Sequence, residues 1–126
     1  MKNGLCKALI VLMWLVFVST ALNYWRAWDQ LPARMAVHFD ANWRPNGFTS
    51  REGALELGLG IMAFLLVLFT IAALILLAMK PQAFWPMLIF FYVILGVCWY
   101  GNNSIIRFNL DSVVAHPPPA SQIVPQ

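Results

Sequence analysis

Two histidines, five carboxylates and two cysteines supply nearly all the acid–base, nucleophilic and metal-ligating capacity of this 126-residue chain. His38 and Asp40 flank Phe39, so in an extended segment they share one face and Phe39 takes the other. A metal or proton site could be started that way. A metal normally takes three or four ligands, and the second imidazole, His116, lies far off in the tail. The expected role for His38 and Asp40 is therefore hydrogen bonding to the loop or to helix ends, with recognition of a partner or peptide as the alternative. Cys6 and Cys98 fall near opposite ends of apolar segments, roughly 20 Å apart, which excludes an intrachain disulfide. With no CxxC spacing they are read as small apolar residues. No catalytic residue, metal or cofactor is expected.

The charges are partitioned. Lys2, Lys7 and Lys80 stand apart from every acid, whereas Arg26, Arg34, Arg44, Arg51 and Arg107 share their segments with Asp29, Asp40, Glu52, Glu56 and Asp111, so the net +3 belongs to the lysines. No run of bases is present to track phosphates, and nucleic acid is an unexpected partner. At 61% hydrophobic and only 10% charged, the composition falls well below the roughly 25% charge of soluble domains. Lipid is the expected solvent.

These side chains must be positioned by apolar helices. Three spans of bilayer length are predicted at about 5–25, 57–79 and 83–101, since roughly 20 apolar residues cross the hydrocarbon layer. The first carries a competing reading as a signal peptide, with Lys2 and Lys7 before it and Ser19-Thr20-Ala21 near its end. Tyr24, Trp25 and Trp28 favour a retained helix ending at the interface. Gly58, Gly60 and Ala63 would permit close helix approach without forming a GxxxG motif. Lys80-Pro81-Gln82 should turn the second span into an antiparallel third, with Pro86 in its opening turn. Trp85 at one end and Trp99-Tyr100 at the other are the expected anchors. After Gly101, residues 102–115 alternate apolar and polar in a way that fits either an amphipathic helix or a strand, and a Pro-rich tail follows to residue 126. The predicted architecture is an all-α membrane protein: a three-span domain over 1–101, an ordered polar loop at 26–56 and a polar, Pro-rich tail at 102–126.

The loop is neither low-complexity nor uniformly charged. Leu31-Pro32 predicts an extended start, Met35 to Phe39 a short extended piece, and Pro45-Asn46-Gly47 a tight reversal. Thr49 or Ser50 is placed to cap the helix into the second span, with Glu52 in its first turn.

Leu31, Pro32, Val37, His38, Phe39, Asp40, Pro45, Asn46, Gly47 and Ser50 together resemble the DUF1648 membrane domain of SdpI-like bacterial immunity and signalling proteins, over roughly the first 80 residues. Two positions depart from that pattern: Ala36 stands where a proline is common, and Trp43 where a glycine is common before the turn. The chain ends before the additional membrane domain of full SdpI-like proteins, so the resemblance covers their N-terminal part. It implies a bacterial cytoplasmic membrane and a possible peptide ligand at the His38–Gly47 stretch. Counting Lys and Arg alone favours an external amino terminus. The resemblance, and the placing of Lys2 and Lys7 beside the first span, favour the opposite, with loop and tail outside.

The spans contain no internal acidic, basic or histidine residue apart from Lys7 near the start of the first, which disfavours both an active site and an ion pathway. The expected function is a small non-catalytic membrane protein, an accessory or stabilising subunit packing against other helices or a larger complex. An SdpI-like immunity or signal-receiving protein is the alternative.

Overall fold

The computed structural model describes residues 2–116; the tail expected to be Pro-rich falls, after His116, outside the described residues. Three helical segments, Gly4–Gln30, Arg51–Met79 and Pro81–Ala115, are long and apolar enough to cross a membrane. This is the build of a multi-pass membrane protein.

The first of these is two helices in line, α1 (Lys2–Leu12) and α2 (Leu15–Ala27), followed by a 3-10 turn at Trp28–Gln30. At the join the backbone tightens into i→i−3 bonds, Trp14 to Val11 and Val16 to Met13. There the Trp14 indole donates to Thr70 Oγ1 at 3.1 Å, giving its N–H an acceptor on a neighbouring span. Leu31, just before Pro32, leaves the 3-10 turn in an extended conformation (φ −74, ψ 138), as the proline requires.

The stretch between the spans is not a loop, and the all-α expectation is corrected here. Residues 34–50 form an antiparallel hairpin, β1 (Arg34–Phe39) and β2 (Pro45–Ser50), the only sheet among the described residues. The reversal also sits elsewhere than expected. Pro45-Asn46-Gly47 lies inside β2, and the chain turns at Asp40–Trp43, where Trp43 N–H bonds the Asp40 carbonyl and Asp40 N–H bonds Arg44 O. This three-residue connection needs a left-handed residue at its end, and Trp43 supplies it with φ 58. A tryptophan thus occupies the conformation that glycine adopts without strain.

Ser50 caps α3 (Arg51–Met79), its hydroxyl accepting from Gly53 N–H at 2.9 Å. Helix α4 (Pro81–Ala115) begins two residues before the expected span, so Pro81 takes the opening turn and Pro86 falls inside the helix. It does not end near Gly101. Its 35 residues reach about 52 Å, beyond a hydrocarbon layer of about 30 Å, and the hairpin packs on that extension. The continuation is written in one stripe. Leu88, Phe91 and Leu95 are buried, and Ile106 and Asn109 are buried on the same helical face, at the three- and four-residue spacing of a helix stripe.

Two clusters make up the interior. One joins Cys6, Ile10 and Met13 to Met62, Leu66, Phe69, Phe84, Leu88, Phe91 and Leu95, with Phe69 and Phe91 stacked at 4.3 Å between centroids. Between lipid-embedded helices such contacts act through packing, since lipid tails are as apolar as the side chains. The second joins Tyr24, Ala27 and Leu31 to Met35, Ala54 and Ile106. It ties the hairpin to three helices beyond the apolar stretches, where burial from water adds about 25 cal/mol per Å².

Candidate functional site: a hairpin clipped to the helical bundle

In the antiparallel ladder Ala36 pairs with Phe48. The Asn109 carboxamide of α4 engages the polar backbone of Ala36: Ala36 N–H donates to Oδ1 and Nδ2 donates to the Ala36 carbonyl, each at 2.9 Å. Nδ2 also donates to Ile105 O at 2.8 Å. Asn109 is buried, so the side chain takes the place of a neighbouring strand and leaves β1 without unpaired groups at this point. Met35 beside it is fully buried. The hairpin root is therefore fixed by both packing and hydrogen bonding.

A further polar layer lies about two helical turns back along α4, toward the apolar run. Tyr24 OH donates to Asn102 Oδ1 (3.2 Å), Asn102 Nδ2 to Cys98 O (3.0 Å), and Asn23 Nδ2 to Asn103 Oδ1 (2.7 Å). Gly58 makes room for it, because a Cβ there would lie 2.2 Å from Asn102 Oδ1 and 3.1 Å from the Tyr24 hydroxyl. Its role is internal to the chain. Gly60, by contrast, has open space beside it.

The residues singled out in the sequence divide into root and tip. Leu31 is buried and Pro32 half-buried at the root. His38 is exposed, and its Nδ1 is hydrogen-bonded to the Asn46 side chain. Gly47 lies opposite His38, where a Cβ would approach the His38 Cβ to 2.7 Å, so this cross-strand pair requires glycine. Asp40 does not join His38. Its Oδ1 instead accepts from Asn42 N–H (2.8 Å) and Arg44 N–H (2.9 Å), organising the turn. Pro45 pairs with Phe39, and the Phe39 ring meets Phe108 of α4 edge-on at 4.8 Å between centroids. Among the described residues no three His, Cys, Asp or Glu side chains converge as a metal site.

The expected anchors behave in three ways. Trp25, Trp85 and Tyr100 are exposed on the helices. Trp99, also exposed, donates its indole N–H to Ser19 Oγ at 3.0 Å. Trp28 lies under the Arg51 guanidinium, 4.5 Å from its ring centroid, while Arg51 Nη1 donates to the Trp28 carbonyl at 3.0 Å. Arg51 Nε is buried without a hydrogen bond and has only a loose ion pair with Glu52 at 3.6 Å.

Residues that sequence reasoning missed are Asn109, Asn102 and Phe108, and Tyr24, expected at the interface, is instead buried. The asparagines carried one signal, a seven-residue separation that continues the buried stripe of α4 and puts both on the bundle-facing side.

Neither a curated protein nor a solved structure matches this chain. A family model, DUF1648, a domain of unknown function, matches residues 14–62. The match takes in α2, the hairpin and the opening of α3, and stops before the α4 residues that hold the hairpin in place. The chain thus carries a DUF1648 domain over residues 14–62, with α4 completing its support.

Proposed function

We propose that this chain is a small non-catalytic membrane protein, an accessory or stabilising subunit whose helices pack against other membrane helices and whose hairpin, His38 to Gly47, is held out as a docking surface. The observation that carries this reading is the rigid mounting of an exposed tip. Asn109 and Met35 fix the root, while Trp43 in the turn at the far end remains exposed. Pre-organised aromatic groups bind at low entropic cost. The absence of Asp, Glu, Lys, Arg and His from residues 57–79 and 83–101 supports a packing role over a conduit. In this reading the amino terminus faces the cytoplasm of a bacterium and the hairpin faces outward. Affinity purification of the full chain in mild detergent tests it. A stoichiometric complex that is lost with Trp43→Ala but kept with Trp85→Ala is expected; a monodisperse chain free of other proteins overturns it.

A second reading, a receptor or immunity protein that binds a peptide, is favoured by one feature. β2 pairs only with β1 among the described residues, which leaves an edge that an extended peptide could join by main-chain hydrogen bonds. Deleting the gene should then sensitise cells to a secreted peptide; unchanged resistance would exclude this reading.

A further inference from the structure

Between the hairpin tip and α4 lies a cleft of about 570 Å³. Its walls are aromatic, with Phe39 and Trp43 from the hairpin and Tyr100 and Phe108 from the helix, and two opposite charges, Arg107 and Asp111, also line it. Both charged residues are exposed, and among the described residues neither is in an ion pair.

The height of the cleft along α4 narrows the choice of occupant. It begins at Val97 and Tyr100, both strongly exposed at the end of the apolar run, and climbs to Asp111, about 16 Å above Tyr100 along the helix axis. Its base therefore lies where acyl chains meet headgroups, and its upper part rises through the headgroup layer toward water. A water-soluble ligand would have to enter through lipid to fill the base, whereas a lipid fills both levels.

The charges narrow the choice again. Arg107 and Asp111 are four residues apart on one helix, about 6 Å of rise, the scale that separates the phosphate and ammonium of a zwitterionic headgroup. The guanidinium suits the phosphate. The carboxylate suits the ammonium, as does the face of an aromatic ring. An anionic lipid without an ammonium group would leave Asp111 unanswered and repelled. Trp43 completes the wall from a left-handed backbone, a conformation disfavoured outside glycine.

We propose that this cleft is a binding site for one zwitterionic phospholipid of the phosphatidylethanolamine type, with its phosphate on Arg107, its ammonium between Asp111 and the aromatic wall, and an acyl chain along Val97 and Tyr100. The proposal goes beyond the docking role and does not depend on it, because lipid binding is measurable on the purified chain without a partner.

Native mass spectrometry of the full chain in mild detergent, titrated with phosphatidylethanolamine or phosphatidylglycerol, tests the site. One retained phosphatidylethanolamine is expected, favoured at least about fivefold over phosphatidylglycerol. Arg107→Gln and Asp111→Asn should each lower its retention roughly fivefold, the loss of one charge-assisted contact, and Asp111→Asn should also narrow the preference between the two lipids. Trp85→Ala, an exposed aromatic outside the cleft, should change neither. Equal retention of both lipids, or wild-type retention in both charge variants, would overturn the proposal. So would a co-purified peptide that occupies the cleft and is displaced by the same substitutions. The two charge variants lie on the exposed face of α4, so a folded protein is available for the comparison.

Discussion

Asn109 and Ala36, 73 positions apart, are joined by two hydrogen bonds of 2.9 Å that run in opposite directions between one carboxamide and one backbone residue. Asn109→Ala should leave the Ala36 N–H and C=O buried without partners, at a cost of about 2–3 kcal/mol. The loss should be local. Amide hydrogen exchange should accelerate across residues 34–50 while α3 and the apolar part of α4 keep their protection. Exchange in the hairpin no faster than in wild type would show that packing at Met35 alone suffices.

Ala36→Pro tests the same contact from the other side. Proline removes the donor to Asn109 while the carbonyl can still accept, so a cost of about 1–2 kcal/mol is expected. Combined with Asn109→Ala, the two effects should be clearly non-additive, because the bond that Ala36→Pro removes is one of the two that Asn109→Ala removes. Additive losses in denaturant titrations would show that the two residues act independently.

Gly58→Ala and Gly60→Ala are the same chemical change two residues apart, and they should behave differently. At position 58 the new methyl meets Asn102 and Tyr24, and at 60 it meets open space. Gly58→Ala should lower the unfolding midpoint by the equivalent of about 1–3 kcal/mol. Gly60→Ala should be neutral or slightly stabilising, as alanine favours the helix. Equal effects would contradict the buried Tyr24–Asn102 layer.

At Trp43 the side chain and the backbone make opposite demands. Trp43→Gly relieves a left-handed conformation worth about 1 kcal/mol and gives up the tilted contact with Phe39, whose ring centroid is 6.3 Å away. Stability should stay within about 1 kcal/mol of wild type. Trp43→Val keeps the strain, adds a branched Cβ and loses the ring, and should cost about 1–2 kcal/mol more than the glycine variant. Thermal unfolding of the two variants side by side checks the order.

The membrane-spanning character was legible because hydropathy alone decides it: long uncharged runs admit one solvent. Leu31-Pro32 also read correctly, since proline acts on its neighbour regardless of tertiary context. The reversal was misplaced because local turn chemistry points to Pro45-Asn46-Gly47, whereas the fold turns at Asp40–Trp43 and uses Gly47 for room against His38. Nothing local marks a tryptophan as left-handed. The extent of α4 was hidden by Gly101 and by the asparagines after it, which lower the hydropathy without breaking the helical stripe. That stripe could have been followed from Leu95 to Asn109. The partner of Asn109 could not, because a side chain bonding a backbone 73 residues away leaves no mark on the composition of either segment.

A hairpin held rigidly by the bundle so that its tip engages another protein should be detectable by site-specific photo-crosslinking in cells. With the cross-linker at Asn42, next to Trp43 in the turn, a discrete protein adduct is expected, lost or sharply reduced when Asn109→Ala frees the hairpin root. No protein adduct from Asn42, or the same adduct in undiminished yield after Asn109→Ala, would contradict the account.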